Sequence, residues 1–157
     1  MKRVGAIAVV HEILSQAFDS SVKFDDVADR LLRMVGDVAA TGDPVRMRRI
    51  GTFGYVPAEV ATSLSLVLTE LCQNAIEHGL GSKMGEVRVC PTQADGKLTV
   101  EVSNDGRSLP PDFSLASSTS LGLSIVTTLV ADMAGTFTLA AASGQSGTVA
   151  TVTIPLA

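Results

Sequence analysis

The sequence predicts an α+β fold: a two-layer α/β sandwich, one sheet with helices on a single face, preceded by an N-terminal helical segment. Three observations predict it. The later chain runs helix, strand, strand, helix, strand, strand by its hydrophobic periodicity. An Asp95-Gly96 pair joins two alternating runs, which signals a tight hairpin. The 157 residues are 46% hydrophobic but only 4% aromatic, so the core must be built from Val, Leu, Ile and Ala, in one domain with an appendage.

The elements follow in order. Ala6, Val9, Val10, Ile13, Leu14 and Ala17 keep helical spacing and predict a helix over residues 3–18. Asp19, Ser20 and Ser21 break it. Phe24, Val27, Ala28, Leu31, Leu32 and Val35 predict a second helix ending near Ala40. Thr41-Gly42-Asp43-Pro44 is a turn. Residues 45–56 combine Val45, Met47, Ile50, Phe53 and Val56 with a basic cluster, an irregular strand and loop. Pro57 can open a helix and Gly79 can close it, with Leu64, Val67, Leu68, Leu71, Ala75 and Ile76 as its core face. Residues 86–90 and 98–103 are alternating strands. Residues 104–120 form a long polar loop, residues 121–133 a helix, and residues 137–142 and 148–154 a final strand pair.

Composition excludes several functions. A net charge of −4 gives no electrostatic footprint for nucleic acid. No apolar run reaches the roughly 18 residues of a membrane span. The basic, apolar N-terminus is interrupted by His11 and Glu12 and no small-residue cleavage site follows, so it is read as a helix and not a signal peptide. Cys72 and Cys90 both lie in apolar patterns, as buried free thiols of a reducing, cytoplasmic compartment do.

One stretch does not read as an ordinary core helix. In LTELCQNAIEHG, residues 68–79, Glu70, Asn74, Glu77 and His78 form a polar stripe beside the apolar one. Such a stripe is commonly a solvated face. Asn74, however, is a poor helix former placed mid-helix. A carboxylate and an amide oxygen one turn apart form a hard-oxygen pair of the kind Mg²⁺ accepts. Downstream, VSNDGRSLP (102–110) ends a strand in a Gly turn, and SLGLSIVTTL (120–129) is a Gly turn opening a helix, a phosphate-friendly end.

These three segments, in this order, resemble the N, G1 and G2 boxes of the catalytic, ATP-binding domain of sensor histidine kinases, within the GHKL superfamily. SGTVATVTIPL resembles that family's closing strand, and the resemblance covers residues 58–157. Glu70 and the helix GAIAVVHEILSQ are similar to the subgroup close to the HWE kinases. The resemblance implies a Bergerat-type ATP-binding fold over residues 41–157. Residues 1–40 resemble the C-terminal part of a helical dimerisation hairpin with its connector, in a piece of a longer kinase.

The implied function is transfer of the ATP γ-phosphoryl group to a histidine on an upstream helix, with Mg²⁺ as cofactor. The implied partners are ATP, a response regulator and a second copy joined through the full-length hairpin. By position, Asn74 would hold Mg²⁺. Glu70 would act on the attacking group or hold a metal-bound water. His78 would lie near the phosphates. Gly106 would let backbone approach adenine, residues 107–120 would form a lid, Gly122 and Leu123 would meet the phosphates, and Thr148 would touch adenine. Asn104 stands where the family carries Asp, and Ser108 and Ser120 stand where it carries Gly. Those departures keep a second reading open, a degenerate binding module without phosphotransfer. A third is a serine kinase of the anti-sigma-factor type, which normally lacks the hairpin helix. His11, on that helix, is read as structural, because the family's acceptor lies on the preceding one.

Overall fold

A computed structural model describes residues 21–39, 45–76, 85–105, 121–141 and 147–156. The helix expected over residues 3–18, with His11, and the turn at 41–44 lie outside them. The elements are β1 (Ser21–Lys23), α1 (Phe24–Ala39), β2 (Val45–Arg49), β3 (Tyr55–Pro57), α2 (Ala58–Asn74), β4 (Gly85–Ala94), β5 (Lys97–Asn104), α3 (Leu121–Asp132), β6 (Thr136–Ala141) and β7 (Thr148–Pro155). β1 and β3 make a small two-stranded sheet, and the main sheet has the order β2-β4-β5-β7-β6. This is the expected α+β sandwich.

The hairpin forms where the Asp-Gly pair placed it. Asp95 and Gly96 both take positive φ, 55° and 74°, and the two strands leave in register, Ala94 opposite Lys97. β2 is the exception to the antiparallel sheet: it runs parallel to β4. Helix α2 lies between them in sequence and carries the chain back across the sheet, as a parallel pair requires.

Strand alternation decides the inner face. Val87 and Val89 of β4, Leu98, Val100 and Val102 of β5, and Ala150, Val152 and Ile154 of β7 are all buried. They share one core with Leu64, Val67, Leu68 and Leu71 of α2 and Val126 and Val130 of α3. The sequence reading set a division at residue 40. Helix α1 lies before that division, yet Phe24, Val27, Ala28, Leu31, Leu32 and Val35 join this same core. Phe24 also meets Phe53 ring to ring, with centroids 4.9 Å apart. Within α2, the buried hydroxyls of Ser65 and Thr69 bond back to the carbonyls of Ala61 and Ser65 at 2.6 and 2.8 Å, so they enter the core satisfied.

Helix α3 ends in a tight stop. The Ala134 N–H donates to the Ala131 carbonyl and the Gly135 N–H to the Val130 carbonyl, with Ala134 at φ 59°. Glycine would suit that left-handed position, but it stands one residue later. There a Cβ would lie 2.5 Å from the Thr153 carbonyl oxygen, so close packing against β7 claims the glycine.

A polar clamp joins the start of α1 to the segment after β2. Arg49 grips Asp29 with Nε and Nη2 at 2.8 and 3.1 Å and lies 3.3 Å from Asp25. The Asp25 carboxylate also accepts from the Thr52 hydroxyl and, at 2.7 Å, from the Phe53 N–H. Burial works to raise the Asp25 pKa, but the Thr52 and Phe53 hydrogen bonds and the Arg49 charge outweigh it, so the carboxyl titrates below its ordinary value of 3.8. A lowered carboxyl stabilises the fold above the unfolded value and loses that contribution as pH falls through the folded one. Asp25→Asn is therefore expected to cost about 1–3 kcal/mol at neutral pH. Thermal melts at stepped pH should show the gap between wild type and variant closing below the ordinary value of 3.8. A gap that stayed constant down to acid pH would show that the charge contributes nothing.

Candidate nucleotide-binding site

Several element ends meet at one end of the sandwich. β5 finishes at Asn104, directly opposite Thr148, the first residue of β7, and Val87 near the start of β4. α3 enters β6 at the far end, where Thr136 pairs with Thr153. Its 12 residues span about 18 Å, so Leu121 and Gly122 return to the first end. The strand β2 leads away from that end, beginning with Val45 beside Gly85, and α2 returns toward it over 17 residues. Glu70 and Asn74 thus come to the same end as Asn104 and Thr148. Past Asn74 the helix runs into a π-type turn at Ala75 and Ile76.

Among the expected site residues, Glu70, Asn104, Leu123 and Thr148 are buried, and Asn74 and Gly122 are half-buried. Asn104 is 4% exposed and Thr148 9%, although both are polar. The alternation of the strand extends to its end: Asn104 continues the inward row of Leu98, Val100 and Val102. Asp105 is exposed and its Oδ1 accepts the Glu86 N–H at 3.1 Å. His78 and Gly106 lie outside the described residues.

The sequence marks Gly147 as the end of a turn and the Gly of the closing Gly-Thr, without a contact for it. This residue has φ 116°, and a Cβ there would stand 2.0 Å from the Asn104 carbonyl oxygen. Only a glycine lets β7 begin so close to the end of β5. The signal was present as the Gly before Thr148, but what the glycine touches is not local in sequence. Both thiols are free, as expected. Cys72 is fully buried and burial pushes its pKa up to about 12. Cys90 is half-buried, on the other side of its strand from Val89, and burial, then the Glu101 charge, raise its pKa as well. Neither is a nucleophile at neutral pH.

A family model described as histidine kinase-, DNA gyrase B-, and HSP90-like ATPase matches residues 59–157, from α2 onward. The chain belongs to this ATPase family. ATP binding goes with membership, and the resemblance to sensor histidine kinase catalytic domains of the GHKL superfamily is borne out. The ATPase-family chain is 46% identical over 132 residues to sensor histidine kinase PdtaS of Mycolicibacterium smegmatis, covering 83% of this chain and 26% of the relative. It is 32% identical over 103 residues to blue-light-activated histidine kinase 2 of Erythrobacter litoralis, covering 64% of this chain and 29% of that one. The chain thus spans about a quarter of the length of these relatives. Among solved structures, the histidine kinase domain of the Erythrobacter litoralis EL346 blue-light-activated kinase superposes with a TM-score of 0.83 at 24% identity. That match covers 99% of this chain and 73% of the other, and it speaks to the fold. None of the helices among the described residues is long and apolar enough to cross a membrane.

Proposed function

We propose that this chain is the Mg-ATP-binding catalytic domain of a sensor histidine kinase, directing the γ-phosphoryl group to a histidine nitrogen on a separate helix. The observation that carries this reading is the buried polar pair Asn104–Thr148, set at the same end as the Glu70–Asn74 terminus of α2. A purine at the inner face would meet Asn104 and Thr148, with Gly106 allowing backbone contact. The phosphate chain would then extend toward α2 and the start of α3, where the positive end of the helix dipole at Gly122 and Leu123 favours negative charge.

The donor set fits Mg²⁺. Among the described residues there is no cluster of three His, Cys, Asp or Glu side chains. Mg²⁺ needs none, since it is held by one or two hard-oxygen side chains and otherwise by water and phosphate. Asn74 would hold it through its side-chain oxygen, with Glu70 holding a metal-bound water or orienting the attacking nitrogen. Bound Mg²⁺ supplies charge neutralisation on the phosphates. The chain's own residues contribute positioning, which is most of the catalysis of phosphoryl transfer.

The ATP-binding unit in this proposal begins at β1, because α1 shares the sheet's core. Residues 1–20 would carry the C-terminal part of the dimerisation hairpin, and the phosphorylated histidine would then serve a response regulator. Calorimetric titration with a non-hydrolysable ATP analogue should show binding that strengthens with Mg²⁺. Incubation with γ-labelled ATP should leave acid-labile label near background, since the acceptor helix is upstream. Strong label on His11 would overturn that assignment.

Base recognition gives a further expected result. Asn104 offers a neutral acceptor where a carboxylate would make a charge-assisted bond about twice as strong. Asn104→Asp should tighten ATP binding about five- to tenfold and sharpen the preference for ATP over GTP. Asp105→Asn should do little. Competition binding with both nucleotides checks this, and a larger loss from Asp105→Asn would move the adenine contact to that residue.

A further inference from the structure

We infer that Gln73 is a phosphate-positioning residue of this site. The inference rests on the nucleotide reading above and adds a residue that neither the polar stripe nor the family resemblance assigns. Among the described residues, the Gln73 side-chain nitrogen is the one buried side-chain polar atom with no hydrogen-bond partner. Such atoms are uncommon in folded proteins, because a buried donor left without a partner bears its full desolvation cost. The same helix shows how such groups are otherwise treated. Ser65 and Thr69, whose hydroxyls are also buried, are both bonded to backbone carbonyls.

The position on the helix says what the donor is for. Gln73 lies about 60° to one side of Glu70 and Asn74 about 40° to the other, at 3.6 residues per turn. The core residues Val67 and Leu71 of α2 fall on the Asn74 side of Glu70, so Gln73 is the one of the three that lies farthest from the core face. Glu70 and the Asn74 oxygen are acceptors, and so are phosphate oxygens. A phosphate chain set against two acceptors needs a donor on the same face, and the Gln73 amide supplies up to two N–H groups without adding charge. An apolar residue of similar size at this position would remove the unpartnered donor, so the glutamine carries a cost in the unliganded fold.

The test compares Gln73→Met and Gln73→Glu with wild type by calorimetry and thermal melting, using a Mg-bound non-hydrolysable ATP analogue and, separately, adenosine. Gln73→Met should melt at or above the wild-type temperature yet bind the analogue about five- to tenfold more weakly, with adenosine affinity unchanged. Gln73→Glu, isosteric but anionic, should weaken the analogue further and again spare adenosine. An unchanged analogue affinity in Gln73→Met, or equal losses for analogue and adenosine, would overturn the assignment. Failure of wild type to bind either ligand would instead overturn the nucleotide reading itself.

Discussion

Replacing Gly147 with alanine is expected to lower the melting temperature by about 10 °C and to weaken ATP-analogue binding at least tenfold. Two independent penalties act at this residue. Its φ of 116° is one that side-chain-bearing residues rarely adopt. Such backbone strain costs about 1–3 kcal/mol. The added methyl would also stand 2.0 Å from the Asn104 carbonyl oxygen and 3.3 Å from the Asp105 Cα. A backbone oxygen cannot rotate away, so β5 and β7 must part at the pair that reads the base in the proposed function. A combined cost of about 3 kcal/mol corresponds to roughly 10 °C in a domain of this size. Gly96→Ala separates the two penalties. Gly96 has φ 74° but nothing within 4 Å of an added Cβ, so it tests backbone strain alone, at the end of the sandwich away from the site. It should lower stability modestly and leave nucleotide affinity intact. If both alanine variants lost affinity equally, the closeness of Gly147 to Asn104 would have no bearing on binding.

Asn74→Ala is expected to reduce Mg-dependent nucleotide affinity by on the order of a hundredfold, ~2.7 kcal/mol, while leaving the fold as stable as before or slightly more so. Asn74 is the last residue of α2 and is half-buried, so its truncation opens no large cavity. Alanine is also the better helix former, by up to about 0.7 kcal/mol. Stability and binding should therefore move in opposite directions. Melting with and without the Mg-bound analogue reads both at once, because a ligand that binds only the folded state stabilises it by RT ln(1 + [L]/Kd). The unliganded variant should match or exceed wild type, and the ligand-induced rise should all but vanish. A large fall in the unliganded melting temperature with the ligand-induced rise preserved would make Asn74 a structural residue and leave Mg²⁺ without its proposed protein ligand.

The sequence by itself determined the features that rest on local repeats. Helical spacing marked α1, α2 and α3, alternation marked β4, β5 and β7, and the Asp95-Gly96 pair placed the hairpin turn. The same alternation put Asn104 and Thr148 on the inner face, because a side-chain period of two leaves no other choice once the neighbouring valines are buried. Only the tertiary structure decided what those faces meet. It made β2 a parallel neighbour of β4 and drew α1 into the sheet's core. It clamped Asp25 and Asp29 to Arg49, and set Gly147 against Asn104. It also left the Gln73 side-chain nitrogen buried without a partner. A helix or strand period states which side of an element is apolar but not which element covers it. Contacts between residues 20 to 43 positions apart leave no period in the chain, so they become legible only when the elements are packed.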